Sequence, residues 1–200
     1  MEILYQDRDI VVCVKPVGLD SEHAVPAELK EALGGEIFPV HRLDSNVGGV
    51  MVYARTKAAA AALSNQIQKG QLIKEYVAMV HGTPPAEGTW EDLLFKDSRK
   101  NKVFVVKRMR SGVKPARLAF NLIQAGERSL VRIRLDTGRS HQIRVQFSSR
   151  GYPLVGDHKY GSKAERTEPM LFSCRLTFPH RGEEQVFTAL PSWAMGENVL

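Results

Sequence analysis

The sequence predicts an α+β protein, a mixed and mostly antiparallel sheet flanked by helices and loops. Three observations carry that prediction. Short apolar runs with period-two alternation recur along the 200-residue chain. Helical spacing shows in only a few places. Glycine, proline and Asx residues separate neighbouring apolar runs closely enough to turn the chain back on itself. No internal repeat and no low-complexity linker interrupts the pattern, so residues 1–200 are read as one domain.

The elements follow in order. Residues 2–6 and 9–15 flank "QDRD" as a hairpin. "VKPVGLDSE" is an irregular polar loop, forced by Lys15, Pro16 and Gly18. Pro26 opens a short helix through Leu33, ended by Gly34 and Gly35. "GVMVYAR" reads as a buried strand. "TKAAAAALSNQIQKG" is alanine-rich, carries Leu63 and Ile67 at i and i+4, and stops at Gly70. "LIKEYVAMVHG" alternates as a strand, with Lys74, Tyr76, Ala78 and Val80 on one face. Further strands are expected at 89–95, 102–107, 116–123 and 129–135, with "AGER" as a hairpin turn. Residues 138–151 return to helical spacing, with Ser140 as cap and Gly151 as stop. A loop, "YPLVGDHKYGS", precedes two closing strands at 170–178 and 185–189.

Charge is unevenly distributed. Residues 96–150 hold 15 Lys and Arg against 3 Asp and Glu, a net +12, whereas the rest of the chain sums to −6. One strongly basic stretch on an otherwise acidic body points to a polyanionic partner. No run reaches the roughly 18 apolar residues of a membrane span, and the start, "MEILYQDRDI", has no signal-peptide character. Cys13 and Cys174 fall in apolar strands and are expected as buried free thiols. A cytoplasmic monomer is expected.

Several chemistries are excluded at motif level. The chain lacks a GxxxxGK[ST] loop, a GxGxxG fingerprint, CxxC, HExxH and a GxSxG elbow. No metal and no cofactor is predicted. What remains is polar residues at the edges of apolar elements. Asp44 in "HRLDSNVGG" precedes a strand, beside Arg42 and ahead of Gly48 and Gly49. A carboxylate held there suits a nucleophile or base, and the same residues also fit a turn aspartate paired to Arg42. Tyr76 fits a core tyrosine or a plate for a nucleobase. Arg139, His141, Gln142 and Arg144 crowd the start of a helix, as a solvated face or as a phosphate and carboxylate site.

Five blocks resolve these alternatives by resemblance: "KPVGL" (15–19), "PVHRLD" (39–44) with "GGVMVYART" (48–56), "KEYVAMVHG" (74–82), "GRSHQIRV" (138–145) and "GYPLVGDHKYG" (151–161). In this order the chain resembles the RluA-type pseudouridine synthases, which isomerise uridines in ribosomal or transfer RNA. The resemblance implies a pseudouridine synthase-type domain with its cleft across the sheet. It implies Asp44 as the catalytic aspartate, Tyr76 as the tyrosine stacking on the target base, and Arg144 as the basic partner of the aspartate. Arg42 would lie near the flipped-out nucleotide and Ile143 near the base; His41, Arg139, His141 and Gln142 are further candidate substrate-binding residues.

The expected partner is an RNA stem-loop, with no membrane and no small-molecule cofactor. Two departures stand out. Val47-Gly48-Gly49 replaces the family's usual Thr-Ser-Gly, removing two hydroxyls that could brace the Asp44 loop. Gln146 stands where a histidine is frequent. The accessory N-terminal RNA-binding domain of many relatives is not expected. A weakly catalytic RNA-assembly factor on the same fold, and a small-molecule hydrolase using Asp44 and His141, are the competing readings.

Overall fold

The computed structural model describes residues 1–196 and 199–200. The predicted fold class holds. Mostly antiparallel strands form a mixed sheet, and among the described residues there are three α-helices. Two compact units divide the described residues: 1–74 with 172–195 and 200, and 75–171 with 196 and 199.

In the first unit, β1 (Glu2–Gln6) and β2 (Ile10–Lys15) form the expected hairpin. Asp7 stabilises its turn by accepting the N–H groups of Asp9 and Ile10 at 2.7 and 2.8 Å. β4 (Gly48–Ala54) pairs antiparallel with β2 and with the short β3 (Phe38–Pro39), and parallel with β10 (Leu171–His180). β11 (Glu183–Thr188) closes on β10. Every residue of β4 is buried, which explains its near-continuous apolar composition. Val50, Val52 and Ala54 join Ile10, Val12, Leu63, Leu176 and Phe178 in one core. Helix α1 (Ala24–Leu33) buries Val25 and Leu29. Helix α2 (Lys57–Gln68) is capped by Thr56, whose hydroxyl accepts the Ala59 N–H at 3.1 Å.

In the second unit, β5 (Ile73–His81, its first two residues belonging to the first unit), β9 (Arg128–Leu135), β8 (Val113–Gln124), β6 (Glu87–Asp97) and β7 (Lys102–Val106) lie in that order. Helix α3 (Gln142–Ser148) packs on the sheet through Phe147, whose ring meets Trp90 and Phe120 at 4.6 and 5.4 Å. Two expectations for α3 are corrected. It is shorter than 138–151, and Ser140 does not cap it: the capping position is His141, in the left-handed region at φ 50°, with no side-chain cap bond. Nor is it a solvated helix, since Gln142 through Phe147 are all buried. Gln142, Arg144 and Gln146 reach hydrogen-bonding partners inside the unit, which lets a polar sequence go under. Both cysteines are buried free thiols, and burial pushes Cys13 up to about 12. No helix among the described residues is long and apolar enough to cross a membrane.

Candidate active site

Asp44 sits in the loop between β3 and β4, in a turn closed by the Val47 N–H donating to the Asp44 carbonyl at 3.0 Å. The backbone is fastened on both sides of it. On one side, the buried Ser21 hydroxyl donates to the Leu43 carbonyl at 2.9 Å and accepts the Leu43 N–H at 3.2 Å. Ser21 is held in turn, its carbonyl accepting the Tyr53 hydroxyl at 2.9 Å.

On the other side, Lys15 at the end of β2 is 0% exposed, and its ammonium donates to the carbonyls of Pro16, Leu19 and Ser45 at 2.9, 2.8 and 3.1 Å. The Gly18 N–H adds a bond to Ser45 at 2.7 Å. "KPVGL" and "HRLD" are therefore one construction, in which a buried cation ties two loops by their carbonyls. Burial pulls the Lys15 amine down to about 8, against the opposing charges of Asp20 and Asp44.

The Arg42–Asp44 ion pair considered from the sequence does not form. Arg42 points outward, 56% exposed, and meets Glu22 at 3.4 Å. His41 turns inward, and its Nε2 accepts the Val52 N–H at 3.2 Å. Burial, and then the nearby charge of Lys74, hold its pKa well below the usual histidine range, so the ring is neutral.

The Val47-Gly48-Gly49 departure also has a physical reading. A Cβ at Gly48 would stand 3.1 Å from the Lys15 carbonyl and 3.3 Å from the Phe172 ring. At Gly49, with φ 131°, it would fall 2.4 Å from the Ser173 carbonyl. The Phe172 ring thus takes the place of a serine side chain, and the loop is braced by Ser21 and Lys15 without the two missing hydroxyls.

In the second unit, Arg144 is 4% exposed and grips Asp157 with two parallel bonds, Nε at 2.7 Å and Nη2 at 2.8 Å. Its guanidinium lies 5.2 Å from the centre of the Tyr160 ring. The Tyr160 hydroxyl accepts the Val103 N–H at 2.8 Å and meets His141 Nδ1 at 2.8 Å. Asp157 precedes and Tyr160 ends a single 3-10 turn, His158–Tyr160. "GRSHQIRV" and "GDHKYG" are thus a second interlocked pair.

Gln142 is buried, and its amide oxygen accepts the Thr137 hydroxyl and the Arg139 N–H at 2.8 and 3.0 Å. Arg139 Nε donates to the Pro115 carbonyl at 2.9 Å. These two side chains shape the approach to α3. Ile143 and Tyr76 are 3% and 5% exposed. Lys15, Ser21, Asp157 and Tyr160 were not singled out from the sequence. A lysine closing the apolar run "IVVCVK" was the available signal for the first.

The paired loop constructions on this α+β sheet define a class. Residues 9–149 match the model of the RNA pseudouridylate synthase family, and the chain belongs to that family. It is an RNA pseudouridine synthase, an isomerase that acts on RNA. It is 37% identical to the dual-specificity RNA pseudouridine synthase RluA of Escherichia coli over 94% of this chain and 91% of that protein. It is 38% identical to an uncharacterised RNA pseudouridine synthase of Chloroflexus aurantiacus, across 79% of this chain and 52% of the relative. Among solved structures, human RNA pseudouridylate synthase domain containing 4 superposes with a TM-score of 0.80 at 26% identity, covering 96% of this chain and 89% of that one.

Proposed function

We propose that Asp44 is the catalytic carboxylate and that the substrate is a uridine in a ribosomal or transfer RNA stem-loop, modified by a cytoplasmic monomer. The observation that carries the assignment is the double fastening of the Asp44 backbone. Ser21 holds Leu43 and Lys15 holds Ser45, while the Asp44 side chain stays half-buried between them. A reacting group must be held in place, and clamps on the flanking backbone do that.

The reaction moves ribose from a ring nitrogen to a ring carbon of the same uracil. Atoms and electrons are conserved between substrate and product, so no redox partner is required. Asp44 attacks the anomeric carbon or removes the ribose 2′ proton, and both routes need an ionised carboxylate beside the sugar. Arg144 serves as its cationic partner, pre-oriented by Asp157 and Tyr160. Tyr76 stacks on the uracil while it is detached, an interaction worth roughly 1–3 kcal/mol. Ile143 packs beside the base. Arg42, exposed and in only a long ion pair with Glu22, is free to enter the space left when the nucleotide leaves its stack, which costs a few kcal/mol. His41 lies on the same loop, and Arg139, His141 and Gln142 order the stretch beside α3.

Affinity comes from the basic stretch. Lys96, Arg99, Lys100, Lys107, Arg108, Arg110 and Lys114 are exposed, and among the described residues none is in an ion pair. They lie in the β6–β7 and β7–β8 turns and, for Lys96 and Lys114, at the adjoining strand ends, where phosphates can reach them. Mapping of pseudouridine in cellular RNA, from a deletion strain complemented with wild type or Asp44→Ala, tests the assignment. The modification is expected to return with wild type alone, and its return with Asp44→Ala would overturn the reading.

A further inference from the structure

Strand β6 has two faces, because successive side chains alternate. Trp90, Asp92 and Leu94 turn toward α3. Trp90 meets the Phe147 ring, Asp92 accepts the Gln146 amide, and Leu94 packs in one cluster with Val145. Leu93 and Phe95 therefore face away from it. The register sets Val106 and Pro115 on either side of Leu93, and Phe104 and Val113 on either side of Phe95. Two apolar rows of three thus lie on the face that α3 does not cover. Phe104 is 37% exposed, Pro115 is exposed, and Leu93, Phe95 and Val106 are only partly buried.

A cavity of about 640 Å³ opens on this face. Leu93, Val106 and Pro115 line it, together with Glu91, Lys107 and Arg117. Its size falls within the roughly 300–1,000 Å³ of small-ligand sites. Cations stand at both ends of the rows. Lys107 follows Val106 at one end. At the other, the Arg110 guanidinium lies 4.8 Å from the centre of the Phe95 ring, and the Lys102 ammonium 5.8 Å from that of Phe104. Arg117 is balanced by Glu91 and Asp136 at 3.4 and 3.1 Å. Neither Lys107 nor Arg110 is in an ion pair among the described residues. Residues 96–114 hold eight Lys and Arg against one Asp, so an apolar cover alone would leave this charge unanswered.

We infer that this face of β6, β7 and β8 is a subsite for one unpaired nucleotide of the RNA, its base in the cavity against Leu93, Val106 and Pro115 and its flanking phosphates toward Lys107 and Arg110. The inference rests on the functional reading above and names a further place where the same RNA is held. A base in a duplex is stacked on both sides and offers a protein only its edges, so only an unpaired base can enter. Unpaired bases stack on aromatic rings and on guanidinium planes, which Phe104 and Arg110 supply beside the cavity. A nucleotide within a strand carries a phosphate on each side, and the two cationic ends match that pattern. The subsite holds the loop of a stem-loop and takes no part in bond-breaking.

The test uses the full chain carrying Asp44→Asn, which separates binding from turnover, and adds Val106→Gln or Lys107→Gln to it. Binding is measured against salt on a hairpin RNA with a single-stranded loop and on a blunt duplex of the same stem. Val106→Gln is expected to weaken hairpin binding about tenfold, the loss of one stacked base. It should leave duplex binding and the salt slope unchanged, since no phosphate contact is removed. Lys107→Gln should reduce the slope of log affinity against log salt on the hairpin by about 0.7–0.9. Full hairpin affinity in Val106→Gln, or equal weakening on both RNAs, would overturn the subsite.

Cross-linking decides the matter if Val106→Gln melts below its parent. With 4-thiouridine at each loop position, the parent protein is expected to be labelled on the strands that carry Leu93, Val106 and Pro115, and labelling elsewhere alone would refute the subsite. Sedimentation of the free protein covers the other occupant: a dimer that Val106→Gln dissolves would give this face to a second copy of the chain instead. Modification of RNA by Asp44→Ala would sink the functional reading, while the hairpin and duplex comparison still decides the subsite.

Discussion

Asp44 and Arg144 stand on constructions of opposite kinds. The Asp44 loop is held through its backbone, by a serine hydroxyl at Leu43 and a lysine ammonium at Ser45, and its own side chain remains half-exposed. The Arg144 helix is held through its side chains: Arg144 on Asp157, Gln142 on Thr137 and Arg139, and Gln146 on Asp92 at 2.7 Å. The first design fixes the backbone on both sides of Asp44. The second commits a guanidinium to one orientation by spending most of its donors. The proposed roles of Asp44 as reacting carboxylate and Arg144 as its cationic partner would make these different demands.

Substitutions can break this contrast in graded steps. The largest effect is expected at Asp44 itself. Asp44→Ala should lower pseudouridine formation by roughly 10³-fold or more while leaving melting temperature nearly unchanged, measured by single-turnover assay and by thermal scan. Next comes Asp157→Ala, which takes the bidentate carboxylate away from a buried guanidinium. It should cost about 3–5 kcal/mol in urea unfolding, so that the loss of activity follows loss of structure.

Lys15→Met comes third. It takes the ammonium from the Pro16 and Leu19 carbonyls and leaves the Ser45 carbonyl with the Gly18 N–H, and should cost about 2–4 kcal/mol. The same substitution should flatten an alkaline trend. The Lys15 pKa is about 8 in the fold, below the 10.5 of the free side chain. Between those values the unfolded chain binds more protons, so Lys15 makes wild-type stability rise as pH climbs from about 8 to 10.5. Urea midpoints across that range should show the rise in wild type and lose this contribution in Lys15→Met.

Gly48→Ser is the smallest step, restoring a family hydroxyl against the Phe172 ring. It is expected to destabilise by about 1 kcal/mol, and Phe172→Ala in the same protein should relieve the clash. Stabilisation by Gly48→Ser alone would show that the ring is no substitute for the serine.

The sequence carried the fold further than it carried the supports of the site. Alternation and turn residues marked the hairpin of β1 and β2, the buried β4 and the β8–β9 hairpin, because those patterns are local. Helix α3 misled, because its polar residues resemble a solvated face. Gln142 and Arg144 are buried only because Thr137, Asp157 and Tyr160 come round to receive them, and no local rule foretells such long-range satisfaction. Lys15 and Ser21 were overlooked for a related reason. Their partners are carbonyl groups, which every residue has and which leave no mark in a sequence. Arg42 shows the reverse error, since adjacency to Asp44 suggested a pairing that the outward side chain never makes.

The close parallel approach of β4 and β10 has a temporal consequence. The Ser173 hydroxyl donates to the Val50 carbonyl across 123 residues of chain, and Ser173 stands against Gly49 in register. At about 5–20 residues per second, a ribosome needs about 6 to 25 s to make that stretch. Until then the strand leading out of the Asp44 loop lacks a neighbour on one side. A nascent chain therefore cannot close the strand pair behind the Asp44 loop before Ser173 has been made. Long-range closure of this kind also slows refolding.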